Sequence, residues 1–238
     1  LTGQANSMGT RVCGSNSTWP GHRPFNDPDA RKLVADAWDV PLSRLPDSPG
    51  PGLVRTVDHL ARGDVDVCWT VATNPASGMP DQSHVRSALD DAFIVVQDAY
   101  RSETVGYADV VFPAATWGES AGTAINMDRR VSRVAPVSEP PGEAKQDLDI
   151  ITTLGDRIAP ELFDDTPLDP AAVFDELSAL TGGTTADLSG ISYDRLADEL
   201  AVRWPAPDAQ SQGGYRYYED GEWSFPTDSG RAAFSSTT

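Results

Sequence analysis

The sequence predicts an α/β fold: a parallel, Rossmann-like sheet flanked by helices, followed by a helical C-terminal part. Three observations predict it. VDVCWTVA (65–72), FIVVQ (93–97) and DVVFPA (109–114) are β-rich and nearly continuous in apolar residues, as in strands buried on both faces. Short helical stretches alternate with them, and strand–helix–strand–helix–strand means parallel pairing with right-handed crossovers. Caps and stops punctuate the helices at the expected places.

In chain order, residues 1–25 are rich in Gly, Ser and Asn and read as loop. NDPDARKLVADAW is a helix start, with Asn26 or Asp27 as cap, Pro28 in the first turn, and Leu33, Val34 and Trp38 on one face. PLSRLPDSPGPG is a Pro/Gly loop, and LVRTVDHLARGD is a second amphipathic helix stopped by Gly63. After the first strand, TNPASGMPD is a turn and HVRSALDDA a short helix. SETVGYA is a helical turn between the second and third strands. WGESAGTAINMDRRVSRV reads as a Gly-containing loop leading to an Arg-rich segment, and PPGEAK as a turn. A helix covers Asp147–Ala159, two more cover PAAVFDELSAL and SYDRLADEL, and GGYRYYEDGEWSFPTDSGRAAF reads as short strands and turns. The division expected is a lead-in over 1–64, an α/β core over 65–160, and a helical extension over 161–238.

Composition narrows the function. With a net charge of −18, the chain lacks the basic face that phosphate neutralisation needs, which excludes nucleic acid as a partner. Lys32 and Lys145 are the only lysines, and Asp greatly outnumbers Glu. Such a surface repels itself in dilute buffer and is tolerable where salt screens it, so the composition reads as halophilic. No apolar run approaches the ~20 residues of a membrane helix. The opening LTGQANSMGT has no basic or apolar leader, which gives a cytoplasmic expectation, and Leu1 reads like the middle of a longer chain. Cys13 and Cys68 form no CxxC pair, and His22, His59 and His84 are scattered, so no metal is assigned to them. GxGxxG, GxxxxGK[ST] and HExxH are missing from the sequence, so it shows no self-contained catalytic constellation.

Ligands of parallel sheets bind beyond the carboxyl ends of the strands. Thr73 and Asn74 end the first strand, and Gln97 and Asp98 the second, so both pairs belong on one rim. Amides and carboxylates there suit the hydroxyls and base edges of a nucleotide, since a carboxylate accepts two N–H bonds from a guanine edge. The competing expectation is that Asn74 and Asp98 cap the helices that follow.

Ordered matches then accumulate: Thr73-Asn74-Pro75, Gln97-Asp98, Thr104, Ala108-Asp109, Pro113, Glu119, Gly122-Thr123, Asn126, Arg129-Arg130, and Pro141 through Asp147. This pattern resembles the molybdopterin oxidoreductase family, which includes nitrate reductases and formate dehydrogenases. LTGQANSMGTR and FPTDSGRAAF extend the resemblance to both ends, and LTGQ and GHRP favour the assimilatory nitrate reductase branch. The resemblance implies that this region binds one guanine dinucleotide arm of a bis-molybdopterin guanine dinucleotide cofactor carrying molybdenum. Carried over residue by residue, the contacts are Asn74, Gln97, Asp98 and Asp147, with Ser120 where relatives have a lysine. It also implies a 4Fe–4S cluster and a molybdenum-ligating cysteine in a segment not present here, nitrate as substrate, and an electron donor such as ferredoxin. This chain then reads as an internal piece of a catalytic subunit, inactive by itself. A formate dehydrogenase-type subunit and a non-catalytic structural subunit of an electron-transfer complex are the alternatives.

Overall fold

The computed structural model describes residues 4–15, 17–162, 168–215, 217–219, 221–225 and 227–234. The chain divides into two compact units, Pro49–Gly122 with Val134–Pro170, and Leu1–Ser48 with Thr123–Arg133 and Ala171–Thr238.

The first of these units holds the expected sheet. Val67–Val71, Phe93–Asp98 and Val110–Pro113 pair in parallel, in sequence order, with Phe93–Asp98 in the centre. Helix Leu53–Ala61 buries Val57 and Leu60, and Arg62 caps it before Gly63 turns the chain at φ 70°. Helix Gln82–Asp90 buries Val85, Ala88 and Leu89, the i, i+3, i+4 spacing of one helical face. These side chains pack with Ile94 and Val96 of the central strand and Ala76 and Met79 of the intervening turn into one apolar cluster. The turn between the second and third strands is a 3-10 helix, Glu103–Tyr107.

One expectation fails here. The strands are not buried on both faces. Thr70, Ile94 and Val96 point into the helical layer and are buried, whereas Val67, Trp69, Val71 and Phe93 on the opposite face are 38–54% exposed. Helices Leu53–Ala61 and Gln82–Asp90 contribute to the same cluster, so within this chain the apolar runs are covered on one face only. Gln97 lies on the open face by register but is completely buried. Helix Asp147–Ile158 follows the third strand, buries Ile150, and begins beside Gln97.

In the other unit, helix Pro28–Ala37 starts as anticipated. Asp27 accepts from Asp29 N (3.0 Å) and Ala30 N (3.4 Å), and Pro28 occupies the first helical position. Its buried face is Ala30, Val34 and Ala35, packed near Trp19 and Leu180; Leu33 and Trp38 are outside, and Trp38 Nε1 donates to Glu176 instead. The larger core gathers Val12, Ile125, Val131, Phe174, Leu188, Ile191 and the fully buried Trp204. Three further local readings change. Ser7–Val12 is a helix rather than loop, because Val12 is completely buried against that core. The segment after the sheet forms strands Gly122–Ile125 and Arg130–Val134, whose inward residues Ile125 and Val131 supply the burial that fixes them; Val202–Arg203 pairs with the second of these strands. SYDRLADEL keeps helix only at Arg195–Asp198. Among the described residues, no helix is long and apolar enough to cross a membrane.

Candidate functional site

The parallel strands end on a common rim, and hydrogen bonds tie Asn74, Gln97 and Asp98 there to the neighbouring loops. Asn74 follows the first strand at φ −123°, ψ 73°, and its side chain caps no helix. Its Oδ1 accepts from Thr104 N (3.2 Å) and Thr104 Oγ1 (2.8 Å), and its Nδ2 donates to Glu103 Oε2 (2.5 Å). The buried Thr104 Oγ1 in turn accepts from Ala76 N at 3.2 Å. Asn74 therefore ties the loop after the first strand to the turn after the second. Its N–H donation, aided by a backbone N–H and the charge of Arg86, holds the exposed Glu103 carboxyl below the usual range.

Asp98 closes the central strand. Its Oδ1 accepts from Tyr100 N (3.0 Å), and Ser102 Oγ donates to its Oδ2 (3.4 Å). This is an Asx-type turn rather than a helix cap. Neither Asn74 nor Asp98 follows the capping expectation.

Gln97, one residue earlier, donates from Nε2 to Asp147 Oδ1 at 2.5 Å. Its Oε1 is buried and has no hydrogen-bond partner among the described residues. Asp147 is exposed and is the first residue of helix Asp147–Ile158, where the helix dipole favours a carboxylate. The preceding residues deliver it to the rim. Lys145 N donates to Pro113 O (3.1 Å) and Ala115 N to Lys145 O (2.8 Å), continuing parallel pairing past the third strand. Gln146 Oε1 accepts from Ala121 N at 2.8 Å. That bond anchors the neighbourhood of Ser120, which is half-buried after a 3-10 turn closed by a Thr116–Glu119 capping box. Ser120 carries a hydroxyl and no charge.

Hydrogen bonds thus run from Asn74 to the Glu103 turn, and from Gln97 through Asp147 and Gln146 to the chain beside Ser120. The partners Glu103 and Gln146 were not singled out in the sequence. Glu103 carried a signal, as an acid opening the SETVGY turn, whereas Gln146 carried none. Beside the Asp147 helix lies a cavity of about 390 Å³, lined by Phe112, Pro113, Ile150, Thr153 and Leu154 together with the charged Glu143, Lys145 and Arg157. Nothing in the sequence marked it.

The rim is rich in acceptors. Asp98 is half-exposed and Asp147 is exposed. Such a set suits a ligand edge rich in N–H and O–H donors. Among the described residues, no group of three or more His, Cys, Asp or Glu could hold a metal ion.

A family model described as molybdopterin oxidoreductase matches residues 1–157. The assimilatory nitrate reductase of Haloferax mediterranei is 60% identical over 237 residues, covering 99% of this chain and 33% of that protein. A nitrate reductase of Synechocystis sp. is 38% identical, covering 98% and 33% respectively. An F420-dependent formate dehydrogenase subunit alpha of Methanocaldococcus jannaschii is 32% identical, covering 97% and 32%. The chain thus spans about a third of the length of these relatives. Among solved structures, acetylene hydratase from Pelobacter acetylenicus superposes with a TM-score of 0.55 at 18% identity, over 85% of this chain and 26% of that one, which supports the α/β fold. With two thirds of its residues under the family model and relatives matching nearly end to end, the chain belongs to the molybdopterin oxidoreductase family.

Proposed function

We propose that this chain is part of the catalytic subunit of a molybdenum nitrate reductase, and that residues 65–160 bind one guanine dinucleotide arm of its bis-molybdopterin cofactor. The observation that carries the binding reading is that Asn74, Gln97 and Asp98 stand at the ends of adjacent parallel strands, with Gln97 hydrogen-bonded to Asp147. The 60% identity to an assimilatory nitrate reductase favours nitrate over formate as substrate.

The residues fit the group. Asp98 and Asp147 would accept from the N–H edge of guanine or from ribose hydroxyls, and Asn74 would hold the adjoining loops in place. Ser120 would offer a hydroxyl where a cation could have faced phosphate. The bound cofactor supplies the two-electron, oxygen-atom chemistry that turns nitrate into nitrite; this chain supplies binding and orientation. A 4Fe–4S cluster and a ferredoxin-type donor belong to the same reading, as does a cytoplasmic setting. The alternative of a non-catalytic scaffold is disfavoured by the exposed carboxylates placed together at the rim.

The test is the complete polypeptide, purified with its cofactor. Nitrite should form from nitrate with a reduced viologen as donor, and an Asp147→Ala variant should carry less molybdenum and less GMP per chain. Oxidation of formate without nitrate reduction would replace the substrate, and unchanged molybdenum and GMP would remove Asp147 from the site. The acidic, lysine-poor composition adds a further expectation, that the melting temperature rises between dilute buffer and molar KCl as salt screens the −18 charge.

A further inference from the structure

We infer that Gln97 is a positioning residue: buried in the central strand, its side chain does not reach the cofactor but fixes the Asp147 carboxylate that does. This rests on the guanine-binding reading above. Complete burial keeps the Gln97 side chain from any ligand at the rim. Its backbone is held on both sides by register with Val71 and Phe112, and its carbonyl accepts from Ala72 N at 2.8 Å, so it sits on the most restrained element of the sheet.

The Asp147 side chain, by contrast, is exposed. Left alone it would sample several rotamers, and ordering it would cost part of the binding free energy. The Gln97 amide donates to Oδ1 and selects one rotamer in advance. Each carboxylate oxygen has two acceptor directions, so Oδ1 can serve Gln97 and a ligand together while Oδ2 stays outward. The chemistry also explains why the residue is an amide. A glutamate here would set two carboxylates against each other, and the pair would have to share a proton. A leucine would fill the space and offer no donor.

The test uses the complete cofactor-loaded protein, with GMP released by acid hydrolysis and molybdenum measured per chain after dialysis at pH 6 and pH 8. Wild type should retain both at either pH. Gln97→Leu should lose about tenfold in retention, the lower end for an orienting hydrogen bond. Gln97→Glu should retain cofactor at pH 6, where the carboxylate pair holds its shared proton and still donates, and release it at pH 8. A packing role alone would not produce that pH swing.

Retention by Gln97→Leu equal to wild type, or loss by Gln97→Glu that is the same at both pH values, would overturn the inference. Should Gln97→Leu fail to fold, the pH dependence of Gln97→Glu decides alone. A wild-type protein carrying no GMP would instead overturn the guanine-binding reading, which separates the two failures.

Discussion

Two aspartates, Asp187 and Asp147, anchor polar clusters in different units of the molecule, and they are treated in opposite ways. Asp187 is 6% exposed, and both its oxygens are occupied: Oδ2 by Gly183 N at 2.8 Å, Oδ1 by Ser189 N at 2.9 Å and by Ser189 Oγ at 2.5 Å. Around it, Ser178 Oγ reaches the carbonyls of Leu188 and Ile191, and Thr181 Oγ1 accepts from Leu188 N. That cluster closes on itself, as a structural one should. Asp147 is exposed and, among the described residues, is held through one oxygen by one donor. A polar cluster that finishes its own hydrogen bonds stabilises a loop; one that leaves acceptors facing outward is organised for something else to complete.

The comparison breaks most visibly at Asp187. Asp187→Ala removes the acceptor of the Gly183 and Ser189 N–H groups, which lie on exposed residues, and should cost about 1–2 kcal/mol in a denaturant melt. A loss under about 1 kcal/mol would mean the turn is held by its apolar neighbours alone. The same residue gives a pH prediction. Burial pushes its carboxyl up, but donation from the Ser189 hydroxyl, from the Ser189 and Gly183 N–H groups and the charge of Arg23 outweigh it and hold the group below the usual range. A depressed folded-state value contributes stability above the unfolded value, near 4, and loses it as pH falls through the folded one. The difference in stability between wild type and Asp187→Asn should therefore shrink as pH drops below about 4. A difference that holds constant from pH 7 to pH 3 would remove the charge from the account.

Asn74 sits between the two extremes. Both ends of its amide are engaged, like the two oxygens of Asp187, yet it stands on the rim, like Asp147. Asn74→Ala unties the loop after the first strand from the Glu103 turn and leaves the buried Thr104 hydroxyl with one partner fewer. A loss of about 1–2 kcal/mol is expected, with hydrogen exchange rising first at Thr104. If stability is unchanged while cofactor retention falls, Asn74 belongs with the outward-facing acceptors instead.

The sequence made the sheet legible because strand, turn and helix signals agreed with one another from Val65 to Ala159. The Asp27 cap and the Gly63 stop were readable for the same reason: capping chemistry is local. Ser7–Val12 was not readable. SMGTRV has weak helical preference, and burial of Val12 decides its conformation. The strand pair around Asn126–Arg129 was hidden by glycine and charge, although Ile125 and Val131 were its inward residues. At the rim, topology alone placed Asn74 and Asp98, since strand ends follow from strand order. It could not say that Gln97 is buried while Asp147 is exposed, because a lone polar residue at a strand end has no periodic pattern to reveal its depth.

The smallest expected effect on stability is at Asp98, and it sharpens the comparison most. Asparagine accepts from a backbone N–H two residues on as readily as aspartate does, so Asp98→Asn keeps the bond from Tyr100 N. Its change in stability should stay within about 0.5 kcal/mol. Recognition is another matter. One of the two acceptor oxygens becomes an NH₂ donor, which faces the N–H edge of guanine with the wrong polarity. GMP retained per chain should fall severalfold while the melting temperature holds. If Asp98→Asn keeps its GMP, Asp98 is a turn residue in the manner of Asp187, complete in its own loop, and the guanine edge is met by Asp147 alone.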